Sequence, residues 1–235
     1  MKKLFVVCLL VMTSMASATN PDSATFLSVR AARDVALETD PGSQFWQGAI
    51  PIVLDVDKWG KIVLHHGTEV RSRWTQNNLY ILFVCPYQKL NLKPNPRTKS
   101  ETNKLWNWDV AEIFIGSDFR NVRRYKEFEM SPQGEWVDLD INLDLPHHEG
   151  GWIWNSGFQV VARIDREKKI WYGAMRIPFA AIDPRIPTIG TVFRANLFRI
   201  QGPPPQRKSI VWRPTMHESF HVPERFGKLE LVGSK

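Results

Sequence analysis

The stretch LWNWDVAEIFIG, residues 105–116, combines aromatic side chains with a carboxylate in the alternating pattern of a β-strand. In an extended chain every second side chain points to the same face, and one face would hold Trp106, Trp108, Val110, Glu112 and Phe114. A carboxylate on such an apolar face is costly unless it is paired or the face opens to water or to a ligand. We therefore expect either a binding surface or a buried ion pair here.

Carbohydrate is a ligand that suits both side-chain types. A sugar ring presents C–H groups that pack on a flat indole, as Trp106 would offer, and hydroxyls that donate hydrogen bonds to a carboxylate such as Glu112. The alternative is structural, in which Glu112 pairs with an arginine such as Arg194 or Arg199 beneath packed tryptophans. Both interpretations are compatible, because an arginine that pairs with the carboxylate also has hydrogens left for a hydroxyl.

The surrounding elements are predicted to be almost entirely β-strands. About ten short apolar or alternating runs are bounded by Gly, Pro, Asn or Asp, and helical signal is scarce. The polar segments PQGEW (132–136) and DREKK (165–169) are typical of hairpin turns. This pattern predicts an all-β fold with little helix, an antiparallel β-sandwich of the immunoglobulin or jelly-roll kind, in a single domain over residues 19–235.

The first 18 residues are typical of a secretory signal peptide. Lys2 and Lys3 form a charged start, an apolar run follows, and small residues precede a cleavage site near Ala18. The apolar run is too short to span a bilayer, and no later stretch is apolar enough to do so. We expect a secreted or periplasmic protein without a membrane span.

Charge and cysteine content exclude other classes. The net charge of +7 becomes +5 when Lys2 and Lys3 are removed, and the remaining basic residues are scattered, so no nucleic-acid-binding stripe is predicted. Loss of Cys8 would leave Cys85 without an intramolecular partner. Because Cys85 lies in the run LYILFVCPY, we expect a packed thiol rather than a reactive one.

Catalytic and metal motifs are weak. A glycosidase needs two carboxylates flanking the sugar, and Asp109 and Glu112 would lie on opposite faces of a regular strand. Asp138 to Asp144 imitate the ligand spacing of a calcium loop, but Leu143 stands where that loop needs Gly, and the alternation favours a strand. No catalytic residue and no metal ligand are therefore assigned, although a structural calcium ion stays open.

Several motifs occur in a distinctive order along the chain. They are W-x-W-D-x-x-E-x-F (Trp106 to Phe114), Y-x-x-F-E-x-x-x-x-G-x-x-x-D (Tyr125 to Asp138), W-x-x-G-F-x-x-x-A-R (Trp154 to Arg163), W-Y-G-A-M-R-I-P-F (171–179), F-R-A-N-L-F-R (193–199), W-R-P (212–214) and H-x-P-x-x-F-G-x-L-x-L (His221 to Leu231). Over about residues 45–232 this order resembles the family 9 carbohydrate-binding modules and their DOMON-like relatives.

The resemblance implies a β-sandwich in which two aromatic rings clamp a sugar, polar side chains bond its hydroxyls, and calcium can stiffen nearby loops. By position in the motifs, Trp106 matches the clamp tryptophan and Glu112 the binding glutamate. The remaining carbohydrate-binding candidates are Trp212 or Phe220 for the second ring, with Asn196 and Arg199 for polar contacts.

The resulting hypothesis is an exported module that binds polysaccharide or oligosaccharide without hydrolysing it and serves carbohydrate catabolism, since the family carries catalysis on separate domains. Two alternatives remain open. One is a haem-binding, electron-transferring DOMON-like domain, for which Met130, Met175, Met216 and His217 are the available axial ligands. The other is a domain that binds another envelope protein.

Overall fold

The computed structural model describes residues 25–234, so the predicted signal peptide, residues 1–18, lies outside the described residues. The described chain is mostly β-strand with little helix, as predicted. The strands are β1 (Thr25–Arg30), β2 (Ile52–Leu54), β3 (Thr68–Trp74), β4 (Asn78–Pro86), β5 (Val110–Gly116), β6 (Arg124–Met130), β7 (Trp136–Asn142), β8 (Gln159–Asp165), β9 (Ile170–Pro178), β10 (Val192–Gln201), β11 (Lys208–Val211) and β12 (Gly227–Val232). The helices are α1 (Gln44–Gln47), α2 (Phe179–Ile182) and three 3-10 turns, Leu105–Asn107, His148–Ile153 and Pro223–Arg225.

These strands form one large sheet that curls over itself into a β-sandwich. The order is β7-β6-β5-β10-β12-β1-β3-β4-β9-β8, with β11 added to β10 and β2 added to β3. The sequence predicts antiparallel pairing, and most pairs are antiparallel, but β1 runs parallel to both β12 and β3. Parallel neighbours need a long crossover, and residues 31–67 between β1 and β3 provide it.

The main core lies between the two layers of the curled sheet. Phe83 and Trp171 on one layer and Phe128 and Leu197 on the other are fully buried in the same cluster. Gly173 of β9 faces Met130 of β6 so closely that an added Cβ would overlap the methyl group and the sulfur of the methionine. This core holds the layers together and fixes the orientation of the outer faces.

Three residues that the sequence analysis singled out, Cys85, Met130 and Met175, lie in this core. Cys85 is fully buried, and burial raises the pKa of its thiol to about 12, so the predicted packed thiol is confirmed. Met130 and Met175, two of the candidate haem ligands, pack in the core, whereas Met216 and His217 lie exposed in a loop.

The outer face of β5, β6, β7 and β10 is also apolar and aromatic. Its buried side chains include Val110, Phe114, Tyr125 and Phe198. Three irregular segments cover it: the turn Leu105–Asn107, the turn His148–Ile153, and the chain around Phe220. A sheet with an apolar outer face under loops is where a ligand cavity can form.

Local structure differs from the sequence prediction at two places beside this face. Trp106 lies in a 3-10 turn, and β5 begins only at Val110, so the predicted strand is too long at its start. Asp138 and Asp140 belong to β7, which confirms the strand and not the calcium loop. Asp109 is buried and accepts hydrogen bonds from the backbone N–H groups of Asn91 and Gly202, which ties two loops together.

The close packing of the turn His148–Ile153 on β7 gives a test of the fold. An added Cβ at Gly151 would lie 2.8 Å from the carbonyl carbon of Asp140, whereas one at Gly150 would meet nothing within 4 Å. We expect Gly151→Ala to lower the free energy of unfolding by about 1–3 kcal/mol, because backbone must move. The control Gly150→Ala should stay within about 0.5 kcal/mol of wild type in denaturant unfolding. Equal stability of the two variants would contradict this packing.

Candidate functional site

A cavity of about 700 Å³ opens on the outer face of β5, β6 and β10. Strand register brings three glutamates into its floor. Glu112 of β5 pairs with Glu129 of β6, and Phe114 pairs with Glu127, so the three carboxylates share one face. Five aromatic side chains also line the cavity: Trp106, Phe114, Phe220, His148 and His221.

The three glutamates are buried and poorly satisfied. Glu112, Glu127 and Glu129 are 2%, 3% and 0% exposed, and one oxygen from each lies within 4.8 Å of the others. Within residues 25–234, one oxygen of Glu112, one of Glu127 and both of Glu129 lack a hydrogen-bond partner. Native proteins seldom leave buried polar atoms in this condition, so each such group needs an explanation.

Burial and mutual repulsion shift the proton affinities of these carboxyl groups. Desolvation, with the charge of a neighbouring glutamate, raises the pKa values of Glu112 and Glu129 well above the ordinary range. Desolvation also raises the pKa of Glu127 to about 7. Near neutral pH the cluster therefore holds one or more protons, unless a cation or a ligand stabilises the charges.

The ion pair considered from the sequence is contradicted. Arg199 lies on the opposite face of β10, where it donates to Thr68 Oγ1 at 3.0 Å and to the carbonyl oxygen of Pro86 at 2.7 Å. Arg194 donates to the carbonyl oxygen of Asp118 at 2.9 Å. Arg199 points away from Glu112 because side chains alternate along a strand. Arg194 shares the face of Glu112 but lies opposite Gly116, four residues along β5, and its guanidinium bonds elsewhere.

Arg207 positions the aromatic wall of the cavity. Its guanidinium donates to the carbonyl oxygens of Trp106 at 2.7 Å, Asn107 at 2.9 Å and Trp108 at 2.5 Å. These bonds hold the turn Leu105–Asn107 over the floor, which places the half-buried ring of Trp106 at the cavity. The guanidinium N–H groups of Arg207 that face the turn therefore donate to backbone carbonyl oxygens and not to the cavity carboxylates.

His221 forms an uncharged part of the wall. Its Nδ1 lies 2.6 Å from the hydroxyl of Tyr125, and its ring stacks on Phe114 at 5.1 Å between centroids. Burial, together with the nearby His148, lowers the pKa of His221 to about 4. The imidazole is therefore neutral at physiological pH, and it acts as an aromatic surface with one polar edge.

The structure divides the six predicted site residues into two groups. Trp106, Glu112 and Phe220 line the cavity, and Phe220 stacks on Phe198 at 4.8 Å.

The other three predicted residues lie outside the cavity. Trp212 packs edge-on against Phe26 at 6.1 Å, and the side chain of Asn196 bonds the backbone of Arg213. Arg199 is buried between the layers. These three side chains have structural partners, and a role in binding for any of the six stays a prediction.

Sequence reasoning missed several cavity residues. The run KEFEM places Glu127 and Glu129 on one face of a strand, and this alternation was a usable signal. It does not say which strand lies beside them. Arg207 gave no signal at all, because it acts on backbone atoms about 100 residues away.

The raised pKa of Glu127 predicts a pH dependence. A carboxyl whose pKa rises from 4.5 unfolded to about 7 folded contributes stability below pH 4.5 that is lost as the pH rises to about 7. Glu127→Gln removes this loss, so the variant should gain on the order of 2 kcal/mol relative to wild type between pH 4.5 and 8. Denaturant unfolding of both proteins in buffer with a chelator measures the difference. A difference that does not change with pH would contradict the assignment.

No protein-family model matches the chain, and no curated protein matches it. Solved structures do match in fold. A family 9 carbohydrate-binding module from Caldicellulosiruptor kristjanssonii in complex with cellotriose aligns with a TM-score of 0.63 and 13% identity, covering 90% of this chain and 95% of that chain. The module from the same organism in complex with glucose gives a TM-score of 0.64 and 13% identity, covering 90% of this chain and 97% of that chain.

A candidate carbohydrate-binding protein from Bacteroides uniformis aligns with a TM-score of 0.66 and 16% identity, covering 88% of this chain and 98% of that chain. These identities are low, so the comparison bears on architecture and not on ligand. The chain has the β-sandwich fold of the family 9 carbohydrate-binding modules.

Proposed function

We propose that this protein binds carbohydrate, without hydrolysing it, in the cavity over β5, β6 and β10. The observation that carries the proposal is the pairing of a partly exposed indole with unsatisfied carboxylates around one opening. Trp106 lines the cavity beside Glu112, whose Oε1 has no hydrogen-bond donor among the described residues. A sugar supplies both an apolar ring face and hydroxyl donors.

The dimensions of the cavity suit a small saccharide. Its volume of about 700 Å³ lies within the range of about 300–1,000 Å³ that small-molecule sites occupy. Trp106 and Phe220 supply apolar walls, and the neutral ring of His221 extends them. A ring that enters between these walls would direct its rim hydroxyls to the glutamate floor.

The structural comparisons support this choice of ligand. Two modules of the same fold were solved with cellotriose and with glucose, so these two sugars are the first probes. Affinity in the micromolar to millimolar range is expected, because sugar hydroxyls exchange bonds with water for bonds with protein at small net gain.

The proposal includes export and a part in polysaccharide catabolism. The support for export is the sequence of the first 18 residues, with a charged start, a short apolar run and small residues before the cut. The part in catabolism follows only from the proposed ligand. Within residues 25–234, no helix is long and apolar enough to cross a membrane. N-terminal sequencing of the protein from its native host should begin near residue 19, and an intact Met1 would contradict export.

Removal of the indole tests the binding site. Trp106→Ala should weaken cellotriose binding at least tenfold, because the stacking surface for the sugar ring is lost. Isothermal titration calorimetry and retention on immobilised polysaccharide measure the effect, below the unfolding temperature of each protein. The matched control is Trp59→Ala, since Trp59 is 40% exposed and lies outside the cavity.

The outcomes of this experiment separate binding from packing. Normal cellotriose affinity in Trp106→Ala would contradict the site. Equal losses of affinity in Trp106→Ala and Trp59→Ala would also contradict it, because the effect would then not be local. A glycan array with the wild-type protein extends the search beyond glucose polymers, and no binding to any glycan would overturn the proposed function.

A further inference from the structure

The glutamate cluster in the cavity floor holds more negative charge than hydroxyl recognition requires. One carboxylate is enough to accept bonds from two neighbouring hydroxyls. Here Glu112, Glu127 and Glu129 lie side by side, at least 97% buried, and together they carry four oxygens without a partner in the described chain. Glu129 is the clearest case, because it is fully buried and neither of its oxygens has a donor.

The nearby cations do not balance this charge. Besides the three floor glutamates, the acidic and basic side chains that line the cavity are those of Glu149, Lys104 and Arg207, so four carboxyl groups face one lysine and one arginine. Arg207 directs its terminal nitrogens to the carbonyl oxygens of the turn Leu105–Asn107 and of Trp108. With every acid ionised, the lining has two negative charges in excess, which is the charge that a divalent cation would neutralise.

We propose that Glu112, Glu127 and Glu129 bind a calcium ion whose remaining coordination positions face the cavity. One oxygen of each residue lies within 4.8 Å of the others. Ligands on opposite sides of a calcium ion are about 4.6–5.2 Å apart, since each Ca–O distance is about 2.3–2.6 Å. The three oxygens can therefore occupy one coordination shell with little movement of the strands.

The donor set favours calcium over other divalent ions. All three ligands are carboxylates, which select hard cations, whereas zinc and copper sites usually include imidazole or thiolate. Magnesium demands near-ideal octahedral geometry and keeps much of its water, but calcium accepts irregular shells of six to eight oxygens. Three adjacent glutamates on a sheet supply one side of such a shell and leave the side toward the cavity free.

The calcium ion would take part in sugar recognition, and this step rests on the proposed function. Free coordination positions on the cavity side accept two adjacent hydroxyls of a sugar in place of water. The ring beside them still packs on Trp106 and Phe220. Calcium would then supply the attraction for hydroxyls, and the glutamates would act through the ion.

The first experiment tests the ion without any sugar. Chelator-treated protein is titrated with calcium chloride by calorimetry, and with terbium under tryptophan excitation, because terbium occupies calcium sites and Trp106 lines the same cavity. Wild type should bind one equivalent, and calcium should displace terbium. Glu129→Gln should lose at least tenfold in affinity for both ions.

A buried glutamate outside the cluster provides the control. Glu135 is also fully buried, but its carboxylate accepts a bond from Ser131 and lies 3.6 Å from Lys93. Glu135→Gln should bind calcium as wild type does. Glu129→Gln should remain folded, because it replaces an unsatisfied carboxyl with a neutral group of the same shape, and circular dichroism in chelator checks this. A variant that fails to fold is replaced by Glu112→Gln in the same titrations.

The results separate this proposal from the proposed function. If wild type binds no calcium at concentrations up to about 10 mM, the calcium site is overturned whatever the sugar result. That concentration is about ten times the Kd of the weakest extracellular calcium modules. Unchanged calcium affinity in the folded cluster variant also overturns it. Cellotriose binding that falls at least tenfold in chelator supports the role in recognition. Equal cellotriose binding with and without calcium overturns that role, while it leaves sugar binding itself intact.

Discussion

Glu112, Glu127 and Glu129 repel one another on a sheet face whose other side chains are mostly aromatic or aliphatic. Removing one carboxylate from water costs free energy, and placing two more beside it adds to the cost. The pKa values of the three carboxyl groups are raised for this reason, so the cluster binds protons more tightly than exposed glutamates do and would be stabilised by a cation. Apolar side chains at these positions would pack without this cost, so the three carboxyl groups lower the stability of the folded chain.

The rest of the structure can be understood as support for this floor. The core between the layers keeps β5, β6 and β10 rigid, and loops then supply the walls. Arg207 fixes the turn with Trp106, and Tyr125 orients His221. Rigid strands with walls built from loops are a common arrangement for binding sites, because the scaffold sets the geometry while loops adjust the fit.

Much of the fold was predictable because strand signals are local. Alternation and turn residues predict the hairpins between β6 and β7 and between β8 and β9. In the turn between β6 and β7, Gly134 adopts a φ of 84°, which glycine tolerates best. The mixed pairing of β1 was not predictable, since a strand's direction relative to its neighbours depends on a crossover and not on its own residues. Trp106 was assigned to a strand because a short 3-10 turn leaves no periodic pattern.

The sequence alone determined that Glu112 shares a strand face with Val110 and Phe114, because side chains alternate within any extended segment. It also determined that Glu127 and Glu129 share a face of their own strand. Only the tertiary structure decided that these two faces are one. The register between β5 and β6 places Glu112 beside Glu129, and Arg207 reaches the turn before β5 from a distant part of the chain. Alternation is a property of neighbouring residues, whereas register and loop contacts depend on how the whole chain packs.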